Sequence, residues 1–181
     1  MQVLGISGSL RRRSYNTALL ETAAAVGGSE VELKVWPALG LVPAFDEDLE
    51  DLPLAVALLR TELGRADAVL FATPEYNASI PGALKNALDW ISRPLGTNPL
   101  RGKPVAVIGG SQGLFGAAWA QAELRKVLRT IGARVLDEPR LELPYVQEAF
   151  SRDGHLLDPE HVSTLQEILE ALEGNPCRRA A

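Results

Sequence analysis

The sequence predicts an α/β fold, a parallel β-sheet covered by helices on both faces. Three observations carry that reading. Stretches of strand character alternate with stretches of helix character from one end of the chain to the other. Two of the strand-like runs, Ala68-Val69-Leu70-Phe71-Ala72 and Val105-Ala106-Val107-Ile108, are apolar without alternation, as central parallel strands buried on both sides are. Finally, Gly, Pro and small polar residues gather directly after the strand-like runs, at what such a sheet makes one common edge.

Val3-Leu4-Gly5-Ile6 is the first strand, stopped by Ser7-Gly8-Ser9, and the Ala/Leu-rich stretch 16–26 is a helix ended by Gly27-Gly28. Val31, Leu33 and Val35 alternate with Glu32 and Lys34, which suits a strand near the sheet edge with one solvated face. An irregular connection with Pro37, Pro43 and the acidic Asp46-Glu47-Asp48 covers 36–51. Pro53 then opens a helix over 54–63, since its fixed backbone angle suits a first helical turn. After the first central strand, Ser79 is a candidate N-cap and Pro81 a first-turn residue for a helix whose apolar stripe is Leu84, Leu88 and Ile91. The second central strand leads into Gly109-Gly110-Ser111-Gln112-Gly113 and a helix over 117–131. A short strand at Ala133-Arg134-Val135, an extended piece over 141–146 and a helix over 159–172 complete the chain. No internal repeat or linker is visible, so residues 1–175 read as one domain and 176–181 as a frayed tail.

Composition narrows the function. The 181 residues carry 18 Lys and Arg against 23 Asp and Glu, a net charge of -5, which leaves no basic footprint for nucleic acid. The start Met1-Gln2-Val3-Leu4-Gly5-Ile6 has no signal-peptide pattern, and no window holds the ~20 apolar residues of a membrane span. A single cysteine, Cys177, cannot pair within the chain and fits a reducing cytoplasm. A cytoplasmic enzyme or binding protein for a small molecule is therefore expected.

Ligands of open parallel sheets bind outside the carboxyl ends of the strands. Three loops lie there. In the first, 7–17, Ser9, Ser14, Asn16 and Thr17 supply short donors, Gly8 allows close backbone approach, Arg11 offers a charged fork and a helix N-terminus follows. It has neither the Lys-Ser/Thr of a P-loop nor Gly-x-Gly-x-x-Gly, so a monophosphate suits it better than ATP or a dinucleotide. Ser14 as a plain helix cap beside solvated arginines is the competing reading. In the second loop, Pro74 and Pro81 stiffen a segment whose Tyr76 offers a flat face and whose amides at 75–77 suit the edge of a heterocycle. A rigid strand-to-helix connection explains the same residues without a ligand. The third loop, 109–116, is glycine-rich.

Two segments together resemble the NADPH-dependent FMN reductase family, which includes bacterial quinone and chromate reductases. Gly8-Ser9-Leu10-Arg11-Arg12-Arg13-Ser14-Tyr15-Asn16 is similar to its G-S-x-R-x-x-S-x-N phosphate loop. The run 73–90, with Pro74-Glu75-Tyr76-Asn77, Ser79, Pro81-Gly82, Leu84-Lys85-Asn86-Ala87 and Asp89-Trp90, is similar to its P-E-Y-N-x-S-x-P-G-x-L-K-N-A-x-D-W signature. The second match is long and ordered, which sets it apart from a lone short motif.

The resemblance implies a three-layer flavodoxin-like fold, a five-stranded parallel sheet of order 2-1-3-4-5, FMN at the switch point and a homodimer or homotetramer. Flavodoxin itself is the standard example of FMN in that position. By the same resemblance Ser9, Leu10, Arg11, Ser14, Tyr15 and Asn16 hold the FMN phosphate; Pro74, Glu75, Tyr76 and Asn77 line the isoalloxazine, with Ser111 and Gly113 at its other edge. Hydride then passes from NADPH or NADH through flavin N5 to a quinone, flavin, dye or metal oxyanion. This is cofactor chemistry, so no catalytic acid or base and no metal ligand is assigned.

Glu75 is expected to pair with a cation across a subunit contact, Arg93 being one candidate, and His155 and His161 are expected at the surface. The chain departs from the family at Ala78, where relatives often carry an aromatic residue, and at Leu114-Phe115 in the third loop; both bear on the acceptor pocket. The rival function is a flavodoxin-type electron carrier or FMN-binding redox sensor without NAD(P)H turnover. P-E-Y-N favours the enzyme, because electron-carrying flavodoxins lack it and are usually more acidic.

Overall fold

The computed structural model describes residues 1–174. Its strands are β1 (Gln2–Ser7), β2 (Glu32–Val35), β3 (Ala68–Thr73), β4 (Pro104–Gly110), β5 (Arg134–Val135) and β6 (Glu142–Leu143). The helices are α1 (Tyr15–Val26), α2 (Leu54–Arg65), α3 (Gly82–Ile91), α4 (Ala118–Thr130) and α5 (Pro159–Glu173). The tail expected over 176–181, Cys177 included, lies outside the described residues.

All pairings in the sheet are parallel, in the expected order β2-β1-β3-β4-β5. The count of five strands needs correcting. The fifth place is shared by two short segments, β5 beside Pro104–Val105 and β6 beside Gly109–Gly110 of the same neighbour β4. Leu136 still donates to the Val105 carbonyl at 2.8 Å, and the chain then leaves the sheet through Asp137, Glu138 and Pro139. Proline has no amide to give to a ladder, so pairing lapses there. It resumes where the Leu141 carbonyl accepts from Gly109 N at 3.0 Å.

Side chains of a strand alternate between its two faces, so each central strand feeds two cores. On one face Leu4, Ile6, Val69, Phe71, Val105 and Val107 pack with residues of α2, α3 and α4, including the expected stripe Leu84, Leu88 and Ile91. On the other, Val3, Leu70, Ala106 and Ile108 meet Leu19 and Leu20 of α1 and Leu165, Ile168 and Leu172 of α5. The glycine-poor middle of the sheet is thereby sealed, and only its ends remain for chemistry.

Two of the five α-helices among the described residues start on a side-chain cap of their own. Ser14 Oγ accepts from Thr17 N at 3.3 Å to open α1, and an Asp158 carboxylate oxygen accepts from Glu160 N at 2.9 Å to open α5. Ser79 does not cap α3. Pro81 stands at that position without a side-chain bond, while Ser79 is spent on a tight turn with Tyr76.

The connection 36–51 is less irregular than its prolines suggest. It contains a 3-10 turn, Leu39–Leu41, and buries Trp36 and Leu39. Two residues of the long motif hold it down. Asn86 accepts from Phe45 N at 2.8 Å and donates to the Pro43 carbonyl at 2.7 Å, and Trp90 Nε1 donates to the same carbonyl at 2.9 Å. Phe45 also packs edge-on to Trp90, ring centres 5.0 Å apart. The second half of the motif therefore docks a loop, which leaves its first half for the ligand.

Candidate active site

Parallel strands end on the same side, and the register Ser7↔Ala72 and Thr73↔Gly109 brings β1, β3 and β4 out level with one another. Their loops form one cleft. It is lined by nine of the residues expected from the sequence, Ser9, Arg11, Ser14, Tyr15, Asn16, Pro74, Glu75, Tyr76 and Ser111, together with Gly110, Gln112 and Val146. Three expected residues do not line it. Leu10 points its side chain toward Gly40, Asn77 sits in the turn beyond Tyr76, and the Gly113 carbonyl accepts from Tyr145 N at 3.2 Å. Neither His155 nor His161 lines the cleft either.

The first loop is built for an anion. The amides of Tyr15 and Asn16 open α1, and among the described residues neither has a protein acceptor; the same is true of Leu10 N. Such free amides at the positive end of a helix attract negative charge. Ser7 Oγ accepts from Ser9 N at 3.3 Å and from Thr17 Oγ1 at 2.9 Å, which fixes the loop's shape from beneath. The side chain of Asn16 is not available as a phosphate donor. It is buried and exchanges two bonds with Gly110, donating to its carbonyl and accepting from its amide, each at 3.0 Å. Asn16 thus clamps the start of α1 to the end of β4, and only its backbone amide faces a ligand.

In the second loop the Tyr76 and Ser79 backbones bond to each other at 3.0 and 3.1 Å, closing a two-residue turn with Asn77 and Ala78 at φ of 53° and 57°. Two positive φ values mark a type I′ turn, which favours Asn then Gly. Ala78 is exposed and strained by its Cβ. Ala78→Gly is expected to stabilise the protein by about 0.5–1 kcal/mol, read as a rise of a few degrees in thermal midpoint with the cleft unchanged.

Within the chain, Glu75 has a role of its own. One carboxylate oxygen accepts from Trp119 N and Ala120 N, both at 3.1 Å, and Arg93 pairs instead with Glu47 at 3.3 Å. The sequence at the start of α4, Ala117-Ala118, offers no capping side chain, so the cap comes from β3's loop across space. This links the second loop to the third.

The third loop turns sharply through Gly116 and Ala117, both left-handed at φ of 56° and 65°. A Cβ on Gly116 would lie 2.7 Å from the Glu142 carbonyl carbon and 2.8 Å from Leu143 N, so β6 is packed against bare backbone. Gln121 donates to the Leu141 carbonyl at 3.1 Å, and buried Arg125 donates to the Val107 carbonyl at 2.8 Å and to Gln121 at 3.1 Å. Burial lowers the Arg125 pKa, and nearby Arg140 lowers it further. The group nevertheless stays cationic. Outside the loop's floor, Phe115 and Trp119 are half exposed and pack on each other with ring centres 4.6 Å apart. Gly110 and Gln112 belong to the glycine-rich loop that the sequence marks, whereas Val146 lies in no motif and reaches the cleft only because β6 returns to β4.

A family model described as NADPH-dependent FMN reductase matches residues 1–148. The chain belongs to that family. It is 43% identical over 175 residues to an NAD(P)H-dependent FMN reductase of Pseudomonas aeruginosa, covering 96% of this chain and 94% of the relative. A quinone reductase of Escherichia coli K12 is 39% identical over 162 residues, covering 87% and 86%. Among solved structures, the flavoenzyme FerB of Paracoccus denitrificans, an NAD(P)H:(acceptor) oxidoreductase, superposes with a TM-score of 0.88 at 37% identity over 97% of this chain and 98% of its own. The fold of this FMN reductase is flavodoxin-like, and its activity is that of an FMN-dependent NAD(P)H oxidoreductase. No helix of the described residues is long and apolar enough to cross a membrane.

The cleft suits FMN on its own chemistry. Three free amides, the hydroxyls of Ser9 and Ser14 and the guanidinium of Arg11 make a donor set for a dianionic phosphate. The enclosed space is about 170 Å³. Small-molecule pockets usually measure about 300–1,000 Å³, so a ligand of flavin size extends over the rim, where Tyr76 is 47% exposed.

Proposed function

We propose that this FMN reductase carries hydride from NAD(P)H to a quinone-type acceptor, with residues 1–175 acting as one unit. The observation that carries the reading is the convergence of an anion-binding helix start, the Pro74-Glu75-Tyr76 wall and the third loop on one cleft. FMN, when bound, supplies a flat ring that takes hydride at N5 and passes electrons on. The protein positions, orients and shields.

Arg11, Ser9, Ser14 and the amides of Leu10, Tyr15 and Asn16 are assigned to the phosphate. Pro74, Glu75 and Tyr76 are assigned to the ring, with Ser111 at its far edge, while Asn77 and Gly113 stand behind these lining residues in the same two loops. Glu75 acts in this scheme by holding α4 against the second loop, so that Tyr76 and the third loop keep a fixed spacing. Ala78 leaves the rim open beside Tyr76, while Phe115 and Trp119 offer an aromatic surface near it. Those faces favour flat aromatic acceptors, a quinone, free flavin or planar dye, over a metal oxyanion. Exposed Leu52, Leu54 and Leu58 at and just before the start of α2 suit burial between copies, consistent with a homodimer or homotetramer. A single cysteine in the sequence fits the cytoplasm.

The deciding experiment is the visible spectrum of the FMN-loaded protein under nitrogen, before and after NADPH or NADH. Rapid bleaching of the flavin, reversed by benzoquinone, is expected. Bleaching no faster than that of free FMN sinks the enzyme reading and leaves an electron carrier or sensor; a colourless protein that takes up no added FMN sinks the cofactor assignment.

A further inference from the structure

A second groove adjoins the flavin cleft and shares Arg11, Ser14 and Tyr15 with it. Its volume is about 540 Å³, within the usual range for a small-molecule site. It runs between the phosphate loop, the start of α1 and the turn 151–154. Arg11, Arg12, Arg13 and Arg152 line it, against two carboxylates, Glu21 and Asp153. A chain of net charge -5 thus concentrates positive charge beside its cofactor loop.

These arginines differ from the others. Arg60 and Arg101 are spent on backbone carbonyls. Arg65, Arg93, Arg129 and Arg140 are paired with carboxylates. Among the described residues, the side chains of Arg11, Arg12, Arg13 and Arg152 have neither kind of partner. Unpaired guanidinium forks are suited to bidentate binding of phosphate. One wall is apolar, Tyr15 stacked on Phe150 with ring centres 5.6 Å apart. Another holds Gln147, whose amide oxygen is shielded from water and has no hydrogen-bond partner.

We propose that this groove takes the adenosine 2′-phosphate end of NADPH, with Arg12, Arg13 and Arg152 as its phosphate contacts, and that it makes the enzyme prefer NADPH to NADH. This rests on the NAD(P)H oxidoreductase reading and adds to it the residues that choose between the two coenzymes. Arg11 stays with the FMN phosphate, and the two grooves meet at Arg11, so a dinucleotide with its nicotinamide end at the flavin cleft has its adenosine end toward Arg12 and Arg13. NADH lacks the 2′-phosphate and leaves the arginines solvated. Exposed charges are screened by salt, so the preference narrows as ionic strength rises.

The test titrates FMN-loaded protein with 2′,5′-ADP and with 5′-AMP by calorimetry, alongside kcat/KM for NADPH and NADH. The wild type is expected to bind 2′,5′-ADP on the order of 10- to 100-fold more tightly than 5′-AMP. The double variant R12A/R13A is expected to lose most of that gap, with 5′-AMP binding and NADH kcat/KM unchanged, and Arg152→Ala to lose part of it. Both sites are exposed, so folding is not at stake. Equal affinity of the wild type for the two nucleotides overturns the proposal, and so does a double variant that slows NADH as much as NADPH. Failure of either coenzyme to bleach the flavin tells against the enzyme reading, while 2′,5′-ADP binding still reports on the groove separately.

Discussion

Gly109→Ala is expected to cost the fold at least about 3 kcal/mol, because overpacking a close-packed site forces backbone to move. The residue ends β4, and a Cβ there would stand well inside van der Waals contact with the Thr73 carbonyl of β3. Gln121 Nε2 and Cγ close the other side at 3.1 and 3.4 Å, so there is no direction in which the methyl can lean. Separating β3 from β4 also displaces Thr73, the residue before Pro74 and Glu75, and FMN retention should fall with stability. For a chain of this size the thermal midpoint should drop by about 6–12 °C. Gly64→Ala is the control. It lies in α2 with nothing within 4 Å of the added atom, and it should be neutral or slightly stabilising. A Gly109→Ala protein with an unchanged midpoint and full flavin content would show that the strand ends yield freely.

Arg11→Ala should weaken FMN binding on the order of 10- to 100-fold, the worth of a charge-assisted contact to phosphate. Riboflavin supplies the contrast, since it keeps the ring and sugar chain and lacks the phosphate. Its affinity, read by flavin fluorescence quenching, should be the same for the variant and the wild type. Arg11 is exposed and its guanidinium holds no other element together, so a change confined to FMN assigns the side chain to the phosphate. An equal loss for both flavins would place Arg11 at the ring or in the loop's framework instead. Ser14→Ala is a weaker probe of the same contact, because it also removes the α1 cap and about 0.5–2 kcal/mol of stability.

Both expectations grow from residues that the sequence marks, and the marking has a physical basis. A phosphate site at a helix start requires short hydroxyls and free amides in consecutive positions, so it is written locally, and Ser9, Arg11 and Ser14 are legible one after another. The central strands are equally local, since burial on both faces demands the unbroken apolar runs at 68–72 and 105–108. Type I′ geometry at Asn77 and Ala78 is not written that way, because alanine seldom takes it and the turn is imposed by the Tyr76–Ser79 pairing. That pairing also withdraws Ser79 from the capping role that its place before Pro81 suggests.

The sequence by itself determined the alternation of strands and helices, the three loops at one sheet edge and the family to which they belong. Only the tertiary structure decided what several of those residues do. Asn16 turns from a phosphate donor into the clamp on Gly110, Glu75 becomes the missing cap of α4, and Asn86 and Trp90 hold Pro43 in place. Val146 enters the cleft through β6, which shares β4 with β5. In each case the partner is a backbone group far along the chain. Every residue but proline carries the same amide and carbonyl, so no side-chain pattern can announce which of them will be left unpaired, and only the packed fold assigns it an acceptor or a donor.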